Sequence, residues 1–249
     1  ADGSPVRLYG AGVRAGSRWP FTYYLDAPPG QFRFGQYLPY PFFMGYAATY
    51  AARETAGDVV FRDSIALRES YGDYIAFLRA QRFDFIVIES ASPSWEHDRS
   101  LITTINAECP GARIIVTGPI ASQADQILSE LPVHACVRGE YEKGVVRAVN
   151  GEQGKIEFDM LTVDEMNAAP FPYFDDTYAR RYWDGNPKGS IAPQAQVWSS
   201  RGCPYKCIFC VWPATMTGND PDGLGKRSVR QYTPEYMEAF LFELVANYQ

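Results

Sequence analysis

The sequence predicts an α/β protein: a five-stranded parallel sheet with helices on both faces, then an irregular connector, then a segment of different character. Three observations predict it. Short continuous apolar runs alternate with helix-length segments through residues 1–150, the pattern of a parallel sheet with crossover helices. Residues 151–193 break that alternation with Pro170, Pro172, Pro187 and Pro193. Beyond residue 194, Cys203, Cys207 and Cys210 crowd into eight positions.

The elements follow in order. Val6, Leu8 and Tyr9 mark a first strand over 6–10, with a Gly-rich loop after it. A helix is expected over 42–56, ending before Gly57, and a second strand over 58–62. Ile75, Phe77 and Leu78 give 71–81 the apolar face of a helix. The run 84–89 reads as a fully buried strand. Leu101, Ile102 and Ile105 mark a helix over 98–107, and 112–117 is the next strand. A helix over 124–130, a short strand over 135–138 and a helix over 142–149 close the series. Past the connector, 196–199 reads as a strand entering the cysteine loop. Thr233 and Pro234 then open a helix running toward Gln249. One strand, one loop and one helix cannot bury a core, so this last segment is expected to be the start of a larger domain.

Composition narrows the class of function. Of the 249 residues 46% are hydrophobic and 21% charged, which excludes a disordered chain. No run reaches the roughly 18 apolar residues of a membrane span, and the N-terminus lacks the basic start of a signal peptide, so a cytoplasmic protein is expected. A net charge of -6 disfavours a broad nucleic-acid footprint. An odd count of five cysteines, three of them clustered, is no disulfide framework. It points to metal ligation or redox chemistry.

The cysteine loop carries the sharpest signal. Its spacing is C-x3-C-x2-C, with Pro204 turning Cys203 away from helical geometry so that the loop can wrap a ligand. Three thiolates can hold three irons of a [4Fe-4S] cube and leave the fourth open. Structural zinc is the competing reading; it wants a fourth ligand, and neither His97 nor His134 is near in sequence. Chance clustering without metal is the other. In open parallel sheets ligands sit beyond the carboxyl ends of the strands, which draws attention to the loops at 10–17, 90–95, 118–122 and 139–141.

The loop resembles the radical S-adenosylmethionine (SAM) signature, C-x3-C-x-aromatic-C, with Phe209 in the aromatic place and the Arg201-Gly202 lead-in also typical. The resemblance implies that Cys203, Cys207 and Cys210 hold the cluster, that SAM chelates the open iron, and that Phe209 lies against its adenine. It also implies an electron donor such as flavodoxin or ferredoxin. SAM cleavage would give a 5′-deoxyadenosyl radical.

The preceding segment resembles the cobalamin-binding radical SAM proteins. Residues 117–122 are similar to that family's G-G-P-H-x-S/T loop, and 137–142 to its V-x-G-E-G-E turn. Thr117 and Ile120 replace the usual Gly and His, Tyr141 replaces a Gly, and no D-x-H-x-x-G motif supplies a cobalt-ligating His. The resemblance implies a Rossmann-like cobalamin-binding domain over 1–150, a proline-rich connector over 151–193, and over 194–249 the beginning of a radical SAM (β/α) barrel. The implied cobalamin contacts are Ser90, Ala91, Ser94, Thr117, Gly118, Pro119, Gly139 and Glu140. From the residues alone, Gly118-Pro119 and Gly139-Glu140 are equally turn chemistry.

The implied activity is methyl transfer to a carbon centre of a small-molecule substrate. An oxidative cyclase of the magnesium-protoporphyrin ester type and a non-catalytic cobalamin-binding module are the alternatives. The substrate itself is not written in the sequence.

Overall fold

The computed structural model describes residues 39–67, 69–92, 94–175, 181–182, 195–205, 207 and 229–248. Its centre is a parallel sheet of four strands in sequence order: β1 (Phe85–Glu89), β2 (Arg113–Thr117), β3 (Ala135–Val137) and β4 (Gly154–Ile156). β1 and β2 pair along their full length from Phe85↔Arg113 to Glu89↔Thr117. All four carboxyl ends therefore lie along one edge.

The alternation of side chains sorts the core into two faces. Ile86, Ile88, Ile114, Val116 and Cys136 point to one face. There they meet Leu78 of α3 (Tyr71–Gln81), Ile102 and Ile105 of α4 (Trp95–Glu108) and Ile127 of α5 (Ala124–Glu130). Ile115, Ala135, Val137 and Ile156 point to the other, against Phe43 and Ala47 of α1 (Phe42–Glu54; α2 is the single turn Ser64–Leu67) and Val145 and Ala148 of α6 (Glu142–Val149). β-Branched residues suit a surface buried on both sides. Each such side chain removed from water contributes roughly 1.5–3 kcal/mol.

The sheet departs from the expected five strands. Residues 6–10 lie outside the described residues. The segment 58–62 forms no strand: Val59 is 40% and Val60 52% exposed. Arg62 instead pairs with Glu69 and lies 3.7 Å from the centre of the Phe77 ring. In place of these, β4 extends the sheet within the stretch expected to be connector, and α7 (Val163–Ala168) follows it behind a Thr162–Glu165 capping box. α4 starts at Trp95, about a turn earlier than expected.

The strand before the cysteines sits at β5 (Ser200–Gly202), not at 196–199. It pairs antiparallel with β6 (Val229–Gln231) and opens no barrel among the described residues. α8 (Pro234–Asn247) follows, capped by the Thr233 hydroxyl. A third cluster joins Tyr40, Phe42, Tyr46, Tyr232 and Tyr236. Trp198 packs against both this cluster and the α1–α6 face, stacking on Phe42 with ring centres 4.3 Å apart. α1 and Trp198 thereby tie the β5–β6 ribbon to the sheet. No helix among the described residues is long and apolar enough to cross a membrane.

Candidate functional site

The carboxyl ends of β1 and β2 interlock. Gly118 has φ +92, and a Cβ there would stand 2.3 Å from the Ser90 carbonyl oxygen, so only glycine fits. The Ser90 amide donates to Thr117 O at 3.0 Å, and its carbonyl accepts from the Ile120 amide at 3.3 Å, just past Pro119, which opens a 3₁₀ turn. The Ser90 and Ser94 hydroxyls both donate to Asp98 Oδ2, at 2.5 and 2.6 Å. Burial holds the Asp98 carboxyl above its ordinary range, against the opposing effect of those two hydrogen bonds. The Thr117 hydroxyl donates to Ile88 O. Ser90, Thr117 and Gly118 are thus buried and committed within the chain, while Ala91, Ser94 and Pro119 are half-buried at the edge.

The β3–α6 turn meets the ribbon. Gly139 (φ +81) is buried under Phe158, whose ring a Cβ would meet at 2.4 Å. Tyr141, fully buried, tilts against Phe43 at 5.1 Å and fills the seam between α1 and α6, so a packing role accounts for a tyrosine where the resembling turn has glycine.

Glu140 and Glu142 are buried and face two arginines of the ribbon. Arg201 Nη1 lies 2.6 Å from Glu142 Oε1 and 3.4 Å from Glu140 Oε2, Nε donates to Tyr232 Oη at 3.0 Å, and the guanidinium covers the Tyr46 ring at 4.5 Å. Arg230 Nη1 donates to Glu140 Oε2 at 3.1 Å, Nη2 pairs with Oε1, and the Leu161 amide donates to the same carboxylate at 3.3 Å. Burial opposes the charge of Arg201, and the Glu142 and Glu140 carboxylates outweigh it, holding the guanidinium protonated. Burial pushes the Glu142 carboxyl up, with Arg201 pulling it down.

Arg201 stands two residues before Cys203. Cys203 is half-buried and Cys207 exposed, and both are free thiols; Phe209 and Cys210 lie outside the described residues. Among the described residues no group of three His, Cys, Asp or Glu side chains could hold a metal ion. In donor type the loop fits an iron–sulfur cluster that takes its third sulfur from Cys210. The other two cysteines stand apart from it. Cys136 is wholly buried in the sheet, and burial pushes its thiol up to about 12; Cys109 caps the end of α4. His97 is exposed on α4. An open groove lined by Phe171, Tyr236, Phe240 and Tyr248 shares no lining residue with this edge.

The structure therefore brings the 139–142 turn and the entry to the cysteine loop together. The sequence reading missed Arg230, Tyr232, Trp198 and the partnership of Glu140 with Arg201. The available signal was an arginine on each of two short strands, with two carboxylates flanking the start of a helix that has an otherwise apolar face.

No protein-family profile matches the chain. An uncharacterized methyltransferase of Pyrococcus horikoshii is 30% identical over 105 residues, which are 41% of this chain and 21% of that protein. The chain thus spans about a fifth of that relative's length.

Proposed function

We propose that the chain belongs to a cobalamin-dependent radical SAM enzyme that transfers a methyl group to a carbon centre of a small-molecule substrate. The observation that carries the reading is the C-x3-C-x2-C loop, which leaves the ribbon beside the carboxyl edge of a parallel sheet and presents free thiols at Cys203 and Cys207. The methyltransferase name of the archaeal relative supports methyl transfer as the reaction type.

Cys203, Cys207 and Cys210 would hold the [4Fe-4S] cluster, and Phe209 would bear on the adenine of SAM. When bound, the cluster with SAM supplies one-electron cleavage of the sulfonium, and cobalamin supplies the methyl group. The residues of this chain bind and orient. Ala91, Ser94 and Pro119 offer small half-buried surfaces at the sheet edge that admit a broad ring at close range. Ser90, Thr117, Gly118 and Gly139 act beneath them, fixing the backbone of that edge through the contacts already described. Glu140 holds the ribbon. An electron donor of the flavodoxin or ferredoxin type completes the system.

Anaerobic reconstitution tests the reading. The chain should take up about four iron and four sulfide, with a broad visible band, and Cys203→Ala or Cys207→Ala should abolish it. Added cobalamin should become protein-bound, seen as corrin absorbance that co-elutes with the chain. Zinc uptake in preference to iron, with all three cysteines intact, would sink the proposal.

A further inference from the structure

We propose that Glu140 and Glu142 are positioning residues that set the register of the β5–β6 ribbon, and through it the placement of Cys203 against the sheet. The inference rests on the reading above only for the cluster that Cys203 would ligate. Its basis is a cross-strand oddity. Arg201 and Arg230 are direct partners in the antiparallel ladder, so two like charges stand opposite each other on one face. That pairing is unfavourable unless a carboxylate lies on it, and Glu140 does, engaging both guanidinium groups, while Glu142 takes Arg201 from the α6 side.

A slip of one residue by either strand would turn that strand's arginine to the opposite face and take its cation from the buried carboxylates that face it. The register that satisfies all four charges fixes Gly202 opposite Val229, and Cys203 is the next residue. A buried ion pair is a poor source of stability compared with an apolar core of the same volume, but it discriminates sharply between alternative pairings. The network is also not optimised for stability. Arg201 Nη2 and Glu142 Oε2 find no hydrogen-bond partner among the described residues. Among the described residues the ladder has three pairs, and Trp198 and Tyr232 pack beside it without fixing which residues pair; the buried charges do.

The test uses Glu140→Gln, Glu142→Gln and the milder Tyr232→Phe, which removes only the hydroxyl bonded to Arg201 Nε. In the iron-free chain, amide exchange at 200–202 and 229–231 should quicken about tenfold in the glutamine variants and less in Tyr232→Phe, with β1 and β2 unchanged. Alkylation should follow. Half-buried Cys203 should react more slowly than exposed Cys207 in the wild type and approach its rate in the variants.

In the reconstituted, reduced protein the variants should shift the cluster's electron paramagnetic resonance signal and weaken its response to SAM while keeping the far-ultraviolet circular dichroism of the wild type. Unchanged exchange and alkylation in all three variants would overturn the inference. So would faster exchange with a cluster signal and SAM response identical to the wild type. A wild type that assembles no cluster would defeat the proposed function instead, and exchange and alkylation would then decide the register role alone.

Discussion

Gly118 shows how much one backbone angle can carry. Its φ of +92 with ψ -176 belongs to a region that only glycine occupies, and the Ser90 carbonyl leaves no room for a Cβ. Gly118→Ala should therefore destabilise the chain by at least about 1–3 kcal/mol from the backbone angle alone, with the clash adding to it. Gly151→Ala is the control: its φ is +108, but nothing lies within 4 Å of its Cβ position, so it should lose only the angular part. Urea unfolding of both variants measures the difference, and equal losses would show that the Ser90–Gly118 interlock is slack. The glycine was legible in the sequence as part of a turn motif. Its cause was not, because the obstacle is a carbonyl 28 residues away, at Ser90. Glu140 is similar: the resemblance implies a ligand contact for it, and the pairing of its carboxylate with Arg201, Arg230 and the Leu161 amide was not legible, because those partners lie 21 or more positions downstream.

Among elements, the sequence read the buried ones well and the edges poorly. β2 and β3 are apolar runs whose pattern matches their double-sided burial, β1 is buried fully only at Ile86 and Ile88, and all three stand where expected. The segment 58–62 is also rich in apolar residues but has no ladder to join, and strand propensity without a pairing edge leaves Val59 and Val60 exposed. β4 is the converse: Gly154, Lys155 and Ile156 carry little propensity, yet backbone pairing with β3 and the burial of Ile156 make them a strand. Three helix starts, by contrast, follow local chemistry, with Ser70, Thr162 and Thr233 as capping side chains. Thr233 accepts from the Tyr236 amide at 3.2 Å, and its own amide is held by Asn167 Oδ1 at 2.6 Å. Thr233→Ala should cost about 1 kcal/mol, the usual worth of a lost N-cap, while Thr233→Ser should restore most of it. Thermal unfolding of the pair checks this; equal melting temperatures for alanine and serine would assign the anchoring to Asn167 instead.

At the scale of the whole molecule, the strands carry side chains of both sheet faces, and α1 with Trp198 connects the α1–α6 face to the ribbon and α8. A perturbation on the α3–α4–α5 face should therefore be felt in α8, and Asp98 of α4 provides a graded one. Burial lifts its carboxyl above the free value of 3.8. Between 3.8 and its raised folded value, the native chain binds that proton more tightly than the unfolded chain does. Stability from this group is accordingly present at low pH and is lost as pH rises through that window. Asp98→Asn removes the titration while its amide oxygen can still accept from the Ser90 and Ser94 hydroxyls. Relative to wild type, the variant should gain stability progressively as pH rises from 3.8 through the raised folded value. Glu142 titrates in the same sense but is present in both proteins, so the difference isolates Asp98. If the clusters unfold as one, the slowest-exchanging amides of β2 and of α8 should shift by the same amount at each pH. A shift confined to β2 would mean that the ribbon and α8 open independently of the sheet, and that the coupling through α1 and Trp198 is too weak to hold the cysteine loop in place.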